Sequence, residues 1–547
     1  MMLNCFAFLL VLSMVQSTKL EDKQPNIIYI LSDDLGHGDV GFTGGKIKTP
    51  NLDRLAKEGI LLKQHYVQPI CSPTRSALMA GRYPIHTGFQ HSVIHPGEPW
   101  GLHLDETIIP QIMKEYNYST HAVGKWHLGM HKWSFTPAQR GFDDFFGYYL
   151  GSQNYDSHMR GAGYDLRSDY WDENGKFVDE VRYDLKGQYS TELYTQRMVD
   201  LISDKRNQDS PFFIYMAYQN VHAPHMVPQR YIDQYSTHFK DKQERTFAAM
   251  VSAMDEGIGN ITTALETAGL ADNTIIVFSS DNGANVGCVS HVTASNYPYR
   301  GGKRSIYEGG IRSPSFIWAK GRLQPGSSDA LIHVTDWLPT FWGLASLQGR
   351  LKPNSPITTK PLDGVNQWLT ISENKDSNRT EILLNIDPYP LPCGHRVPNY
   401  GIRWKEWKLI LGSGGPPDGW YPAPNMTAQQ LQEICHKPIE GYVELYNIEL
   451  DPYEHRNVSD RYPHIVKKLT HKLMAYNETA VPPGNMKVDP ASSPKHFNYT
   501  WMPWVKDGEE VGEDMRRNLW NVEEYNWVQR EVEELPDPCL QGFSVDM

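Results

Sequence analysis

The chain of 547 residues is poor in cysteine, with six in all. That excludes a small disulfide-stapled scaffold, in which cysteine is far denser. A basic surplus is missing too: 52 Lys and Arg stand against 64 Asp and Glu, a formal net charge of -12, with no dense Lys/Arg cluster. Proteins that grip nucleic acid carry a basic face, so no nucleic-acid partner is expected. No apolar run reaches the roughly 20 residues that a bilayer span requires, so no membrane span is expected. Internal repeats and long low-complexity segments are likewise missing. What remains, 40% hydrophobic and 12% aromatic, is the composition of a globular protein long enough for one large domain and a smaller one.

The first residues, MMLNCFAFLLVLSMVQS, hold an apolar run from Cys5 to Val15, too short to span a bilayer, and Val15 with Ser17 offers a cleavage site. Residues 1–17 are therefore predicted to be a signal peptide, which directs the chain to the secretory pathway, lysosomal or secreted. Seven N-x-[ST] sequons, at Asn117, Asn260, Asn378, Asn425, Asn457, Asn477 and Asn498, agree with that route. Cys5 leaves with the signal and Cys71 sits in a motif treated below. Cys288, Cys393, Cys435 and Cys539 remain, an even set open to three pairings.

Apolar, β-rich runs recur along the chain: Asn26–Leu31, Ser119–Val123, Phe212–Tyr218 and Thr274–Phe278. Helical patterns lie between them, such as NLDRLAKEGI and RTFAAMVSAMDEGIGNITTALETAG. Continuous apolar strands alternating with helices predict an α/β fold, a large and mostly parallel sheet sandwiched by helices, over residues 25–379. Beyond it the pattern changes. Ile382–Ile386, Gly401–Leu411 and Val443–Leu450 are strand-like, Gly412–Pro424 is a Gly/Pro-rich loop, and HIVKKLTHKLMAYN is helical. These predict a smaller C-terminal antiparallel α+β domain over 380–547.

In open α/β sheets the working residues gather beyond the carboxyl ends of the strands. The four runs deliver Asp33 and Asp34, Lys125 and His127, His222, and Asp281 and Asn282 to that edge. Each alone has an ordinary explanation as a turn former, a helix cap or a solvated loop residue; their shared position singles them out. Asp33, Asp34, Asp281 and Asn282 offer only oxygen donors, a set that suits a hard cation such as Ca²⁺ better than zinc. In CSPTRSALMAGR, Pro73 is set to start a helix and Gly81 to end it. Cys71 thus falls at a helix N-terminus, where backbone N–H groups favour an anion.

CSPTRSALMAGRYPIHTG resembles the sulfatase signature, Cys-x-Pro-x-Arg followed by a short helix. Thr74 and Ala80 stand where that family more often has Ser and Thr. The resemblance runs from about Pro25 to about Asp460 through PNIIYILSDDLG, TPNLDRLAKEG, VGKWHLG, RGFDDFFGY, SDNG, RGGKRSIYEGG and LYNIELDPYEHRN. With HVTDWLPT and KPLDG these stretches look most like the arylsulfatase B branch, the N-acetylgalactosamine-4-sulfatases.

The resemblance implies an alkaline phosphatase/sulfatase-like fold and a hydrolase of sulfate esters. It implies that a formylglycine-generating enzyme converts Cys71 to formylglycine, and that one Ca²⁺ is held by Asp33, Asp34, Asp281, Asn282 and residue 71. A hydroxyl of the hydrated aldehyde would attack sulfur. Arg75, Lys125 and Lys303 would neutralise the sulfate oxygens, His222 with Lys303 would protonate the leaving alcohol, and His127 would take the proton of the second hydroxyl. The substrate would be a sulfated carbohydrate, N-acetylgalactosamine 4-sulfate first, or else a small sulfated glycoside or aryl sulfate. The loops Gly151–Gly187 and Gly287–Tyr299 would select it. The resemblance also implies a Cys393–Cys435 disulfide. A two-zinc phosphatase or phosphodiesterase is disfavoured by Cys71 and by the histidine-free oxygen set. An inactive carbohydrate-binding relative is disfavoured because every position of the set is filled.

Overall fold

Five runs that are buried or nearly so form the centre of the computed structural model. They are β1 (Asn26–Ser32), β2 (Ser119–Lys125), β3 (Asp144–Tyr148), β4 (Phe212–Ala217) and β5 (Thr274–Ser280), parallel throughout in the order β5-β1-β4-β2-β3. Successive side chains of a strand point to opposite faces, and both faces are covered here. Ile27, Tyr29 and Leu31 of β1 pack with α1 (Cys71–Ala80) and the helix Trp337–Ala345. Ile28 and Ile30 pack with α2 (Ser190–Ser203) and α3 (Lys242–Thr267). The structure describes residues 23–516 apart from 206, 208–209, 287–293, 348–357, 359, 390–398, 417, 421–441 and 513–514. The predicted signal 1–17, Asn425, Cys288, Cys393, Cys435 and Cys539 lie outside the described residues.

Strands of mixed direction flank the parallel centre. Phe316–Trp318 pairs with β5 and, with Ile60–Leu62 and Gly326–Ser328, forms one margin. Arg167–Trp171 and Phe177–Val181 form the other beside β3, completing ten strands among the described residues. Gly151–Gly187, expected to be a loop, therefore contributes two strands to the main sheet. A second, four-stranded antiparallel sheet consists of β6 (Glu381–Asp387), β7 (Asn399–Trp404), β8 (Trp407–Gly412) and β9 (Tyr442–Asn447). The run Gly401–Leu411, expected as one strand, is two, folded back between Trp404 and Trp407 with Lys405 at φ +52°. The helix α4 (Pro463–Asn477) buries Leu469 and Leu473 against this sheet. Lys408 of β8 ties the second sheet to the short helix Glu308–Ile311, with its buried Nζ 2.9 Å from Glu308 and 2.7 Å from Glu454.

Buried carboxyls make stability pH-dependent. Asp255 of α3 accepts the backbone N–H groups of Asn51 (3.2 Å) and Leu52 (2.8 Å) at the start of helix Pro50–Glu58. Burial pushes its carboxyl up to about 6 against the hydrogen bonds that favour the charged form. The folded state then binds the proton more tightly than the unfolded one. This contribution is whole below pH ~4 and is lost as pH rises through about 6. Asp255→Asn is expected to flatten the fall of Tm between pH 4 and 7 by ~2–4 °C, read by thermal melts across that range.

Candidate active site

The sheet delivers its polar residues where its strands end. Beyond β1 the chain turns sharply, with Asp34 at φ +61°, and the Asp33 backbone is locked to the β4 turn: its N–H donates to Asn220 O (2.7 Å) and its O accepts from Val221 N–H (2.6 Å). The N–H of Asp281 donates to Ser32 O (3.0 Å), fixing the end of β5 beside β1. Beyond β2, His127 adopts φ +58° and Gly151 packs flat on its ring; a Cβ there would lie 2.6 Å from Cε1. The helix α1 starts at this edge with Cys71 and stops at Gly81, φ +64°, the left-handed C-terminal position that glycine takes without strain.

All the sequence-predicted residues meet here. Cys71 Sγ lies 3.8 Å from Asp33 Oδ1, and Lys125 Nζ lies 2.6 Å from Asp33 Oδ2. Arg75 is fully buried, 2.7 Å from Asp281 Oδ2 and 3.7 Å from Asp33. Lys303 Nζ sits 2.7 Å from Asp34, the Asn282 amide donates to Asp34 Oδ1 at 2.7 Å, and His222 Nε2 is 3.8 Å from Asp34. Ser72 Oγ donates to His127 O (3.1 Å), which ties the second histidine to the helix that begins at Cys71. Three supports were not legible as functional. Thr74 Oγ1 donates to Asp281 O (2.5 Å), Tyr215 O–H accepts from Arg75 (3.2 Å), and Tyr155 O–H donates to His222 O (2.9 Å). A tyrosine in the wholly buried strand FFIYMA was the available signal, because a buried hydroxyl needs a partner.

Electrostatics separates the roles. Burial pushes the Cys71 thiol up to about 12 despite Lys125 and Lys303, so an unmodified thiol is no activated nucleophile. Burial would raise Asp34, yet Lys303 and His222 hold its carboxyl below the ordinary range. Burial, then the charge of Asp33, pushes Asp281 up. Both histidines are driven well down, His127 by burial and Lys125, His222 by burial and Lys303. His127 Nε2 is 2.9 Å from Ile94 O, which fixes the hydrogen on that nitrogen and leaves Nδ1 as a bare acceptor.

Among the described residues Asp33, Asp34, Cys71 and His222 bring ligand atoms within 4.8 Å of one another. Asn282 Oδ1 is buried beside them with no hydrogen-bond partner. A carbonyl oxygen left bare among carboxylates fits a hard, oxygen-seeking cation. Lys125, Lys303 and Arg75 line the same buried place with positive charge, each paired with one of the carboxylates.

Such a fold and pocket define a hydrolase of oxyanion esters. The Sulfatase family matches residues 25–347, and the chain belongs to that family of sulfuric ester hydrolases. It is 41% identical to mouse arylsulfatase J over 505 residues, 88% of this chain and 81% of that one. It is 33% identical to human N-acetylgalactosamine-6-sulfatase over 482 residues, 84% of this chain and 86% of that one. Among solved structures it is similar to Ps i-CgsB in complex with k-i-k-neocarrahexaose, with TM-score 0.68 and 28% identity over 84% of this chain and 94% of that one. No helix among the described residues is long and apolar enough to cross a membrane.

Proposed function

We propose that this sulfatase removes sulfate from sugars, N-acetylgalactosamine 4-sulfate first, using a formylglycine made from Cys71 and one calcium ion. Residues 25–379 would form the catalytic unit and 380–547 the smaller one. The observation that carries the reading is Cys71 itself, at the start of α1 and 3.8 Å from Asp33, in a pocket lined by Arg75, Lys125 and Lys303. Sugar as substrate is supported by the relative named for N-acetylgalactosamine and by the neighbour bound to a neocarrahexaose. The 4-position rests on the arylsulfatase B resemblance; the relative named a 6-sulfatase favours the 6-sulfate as a second reading.

Asp33, Asp34, Asp281 and Asn282, with residue 71, would hold the cation, which when bound polarises the sulfate and lowers the pKa of the attacking hydroxyl. The hydrated aldehyde at position 71 would supply that hydroxyl and a second one beside it. Arg75, Lys125 and Lys303 orient the sulfate oxygens and offset the charge that builds on them. The bare Nδ1 of His127 takes a proton from residue 71. Lys303, which Asp34 keeps protonated against burial, would protonate the departing alcohol together with His222.

The substrate test compares kcat/KM on galactosamine 4-sulfate and 6-sulfate oligosaccharides, small sulfated glycosides and a chromogenic aryl sulfate. Turnover of the aryl sulfate without release from any sugar would overturn the sugar assignment. For His222→Ala, sugar sulfates, whose alcohols leave poorly, are expected to lose about 10²–10⁴-fold. Activated aryl sulfates should lose far less; equal losses would remove His222 from the proton-donor role.

A further inference from the structure

We propose that Arg160 binds a second anionic group of the substrate, a carboxylate or sulfate carried beside the ester that is cleaved. This rests on the sulfated-sugar reading and extends it to the charge around the scissile group. Arg160 lies in the short strand Met159–Arg160, which pairs with Gly163–Tyr164. Its side chain is half-buried. A guanidinium carries five N–H donors, and a buried one is ordinarily paired. The other enclosed arginines follow that rule. Arg75 faces Asp281, Arg312 faces Glu308, Arg379 faces Asp336, and Arg140 donates to the carbonyls of Leu102, His103 and Glu106. The Arg160 guanidinium has no hydrogen-bond or ion-pair partner among the described residues, and its one electrostatic neighbour is Tyr148. Burial accordingly pushes it down to about 10.

Tyr148 supplies an independent observation. Its hydroxyl is wholly buried and also lacks a partner among the described residues. Tyr148 is the last residue of β3, directly opposite Lys125 in the sheet register, so Arg160 belongs to the edge where the sulfate pocket lies. The segment that carries Arg160 is in touch with both histidines of that pocket, through Gly151 on the His127 ring and Tyr155 O–H on His222 O (2.9 Å). Trp501 Nε1 donates to the Arg160 backbone O (2.9 Å) and anchors the strand. An unpaired guanidinium held at the rim of a sulfate pocket is a fork for a planar carboxylate or for two sulfate oxygens.

The test compares three sugars with 4-nitrophenyl sulfate. They are N-acetylgalactosamine 4-sulfate, the same sugar joined to a uronate, and its 4,6-disulfate. The unaltered enzyme is expected to favour the uronate or the disulfate over the singly charged sugar by about tenfold or more in kcat/KM, mainly through KM. Which of the two is favoured names the group. Arg160→Gln is expected to erase the preference, losing about tenfold more on the favoured sugar than on 4-nitrophenyl sulfate, while Arg160→Lys keeps part of it. An unchanged preference, or equal losses on all substrates, would overturn the proposal. Methyl-esterifying the uronate asks the same question of the unaltered protein should the variants misfold. If no sugar sulfate is hydrolysed while 4-nitrophenyl sulfate is, the sugar reading fails by itself. The charged sugars then serve as inhibitors of 4-nitrophenyl sulfate turnover: a raised inhibition constant in Arg160→Gln sustains the anion site, and an unchanged one refutes it.

Discussion

Cys71→Ala is expected to abolish sulfate ester hydrolysis, by about 10⁵-fold or more, while the protein folds as before. The side chain is buried at the first turn of α1, where alanine is a good helix former and removes only one sulfur atom. The anchors of that helix lie elsewhere: Ser72 on His127 O, Thr74 on Asp281 O and Arg75 on Asp281. Activity and stability therefore separate at this position. Cys71→Ser is the sharper variant, because it restores one hydroxyl but not the pair that a hydrated aldehyde offers. It too is expected to be inactive. Peptide mass spectrometry of protein from a eukaryotic host should show formylglycine at residue 71. A fully active preparation holding only thiol there would end the proposed chemistry, and a thiol raised to about 12 by burial would be a poor substitute in any case.

The catalytic edge was legible because its strands carry continuous apolar runs. In NIIYILS, FFIYMA and TIIVFSS every residue is buried, so the first polar residues after each run mark the end of the sheet. The helix at Cys71 was legible through Pro73 and Gly81. Elsewhere the signals were weak. The turn that divides Gly401–Leu411 uses Lys405 and Glu406 rather than glycine, proline or asparagine, and two tryptophans continue the apolar pattern across it. The strands Arg167–Trp171 and Phe177–Val181 lie at the sheet margin, half-exposed and rich in charge, which reads as loop. Thr74 and Tyr215 escaped notice as functional because their work is done through the backbone of Asp281 and the guanidinium of Arg75, partners more than a hundred residues distant in sequence. Arg160 was hidden for the opposite reason: its interest lies in a missing partner, which no local pattern encodes.

The purified protein is expected to contain about one calcium ion per chain by elemental analysis, and chelation should silence it and lower its Tm. Asp33, Asp34 and Asp281 lie together in a buried pocket, and Asn282 Oδ1 stands unpartnered at the same place. Burial with the charge of Asp33 raises Asp281, so carboxylates crowded in one buried place should gain from a divalent cation. A ligand that binds the folded state alone adds about 2.7 kcal/mol at a hundred times its Kd, so restoring calcium should return the melt as well as the activity. Zinc should do neither, because it prefers nitrogen and sulfur donors to a set of hard oxygens. Asn282→Ala offers a test within the chain. It removes the bare carbonyl and leaves the three carboxylates, so calcium affinity should fall about tenfold or more, by analogy with the loss of an outer ligand partner. The melting shift at fixed calcium should shrink in parallel. Stoichiometric zinc in active protein, or an unchanged calcium response in Asn282→Ala, would refute this assignment of the site.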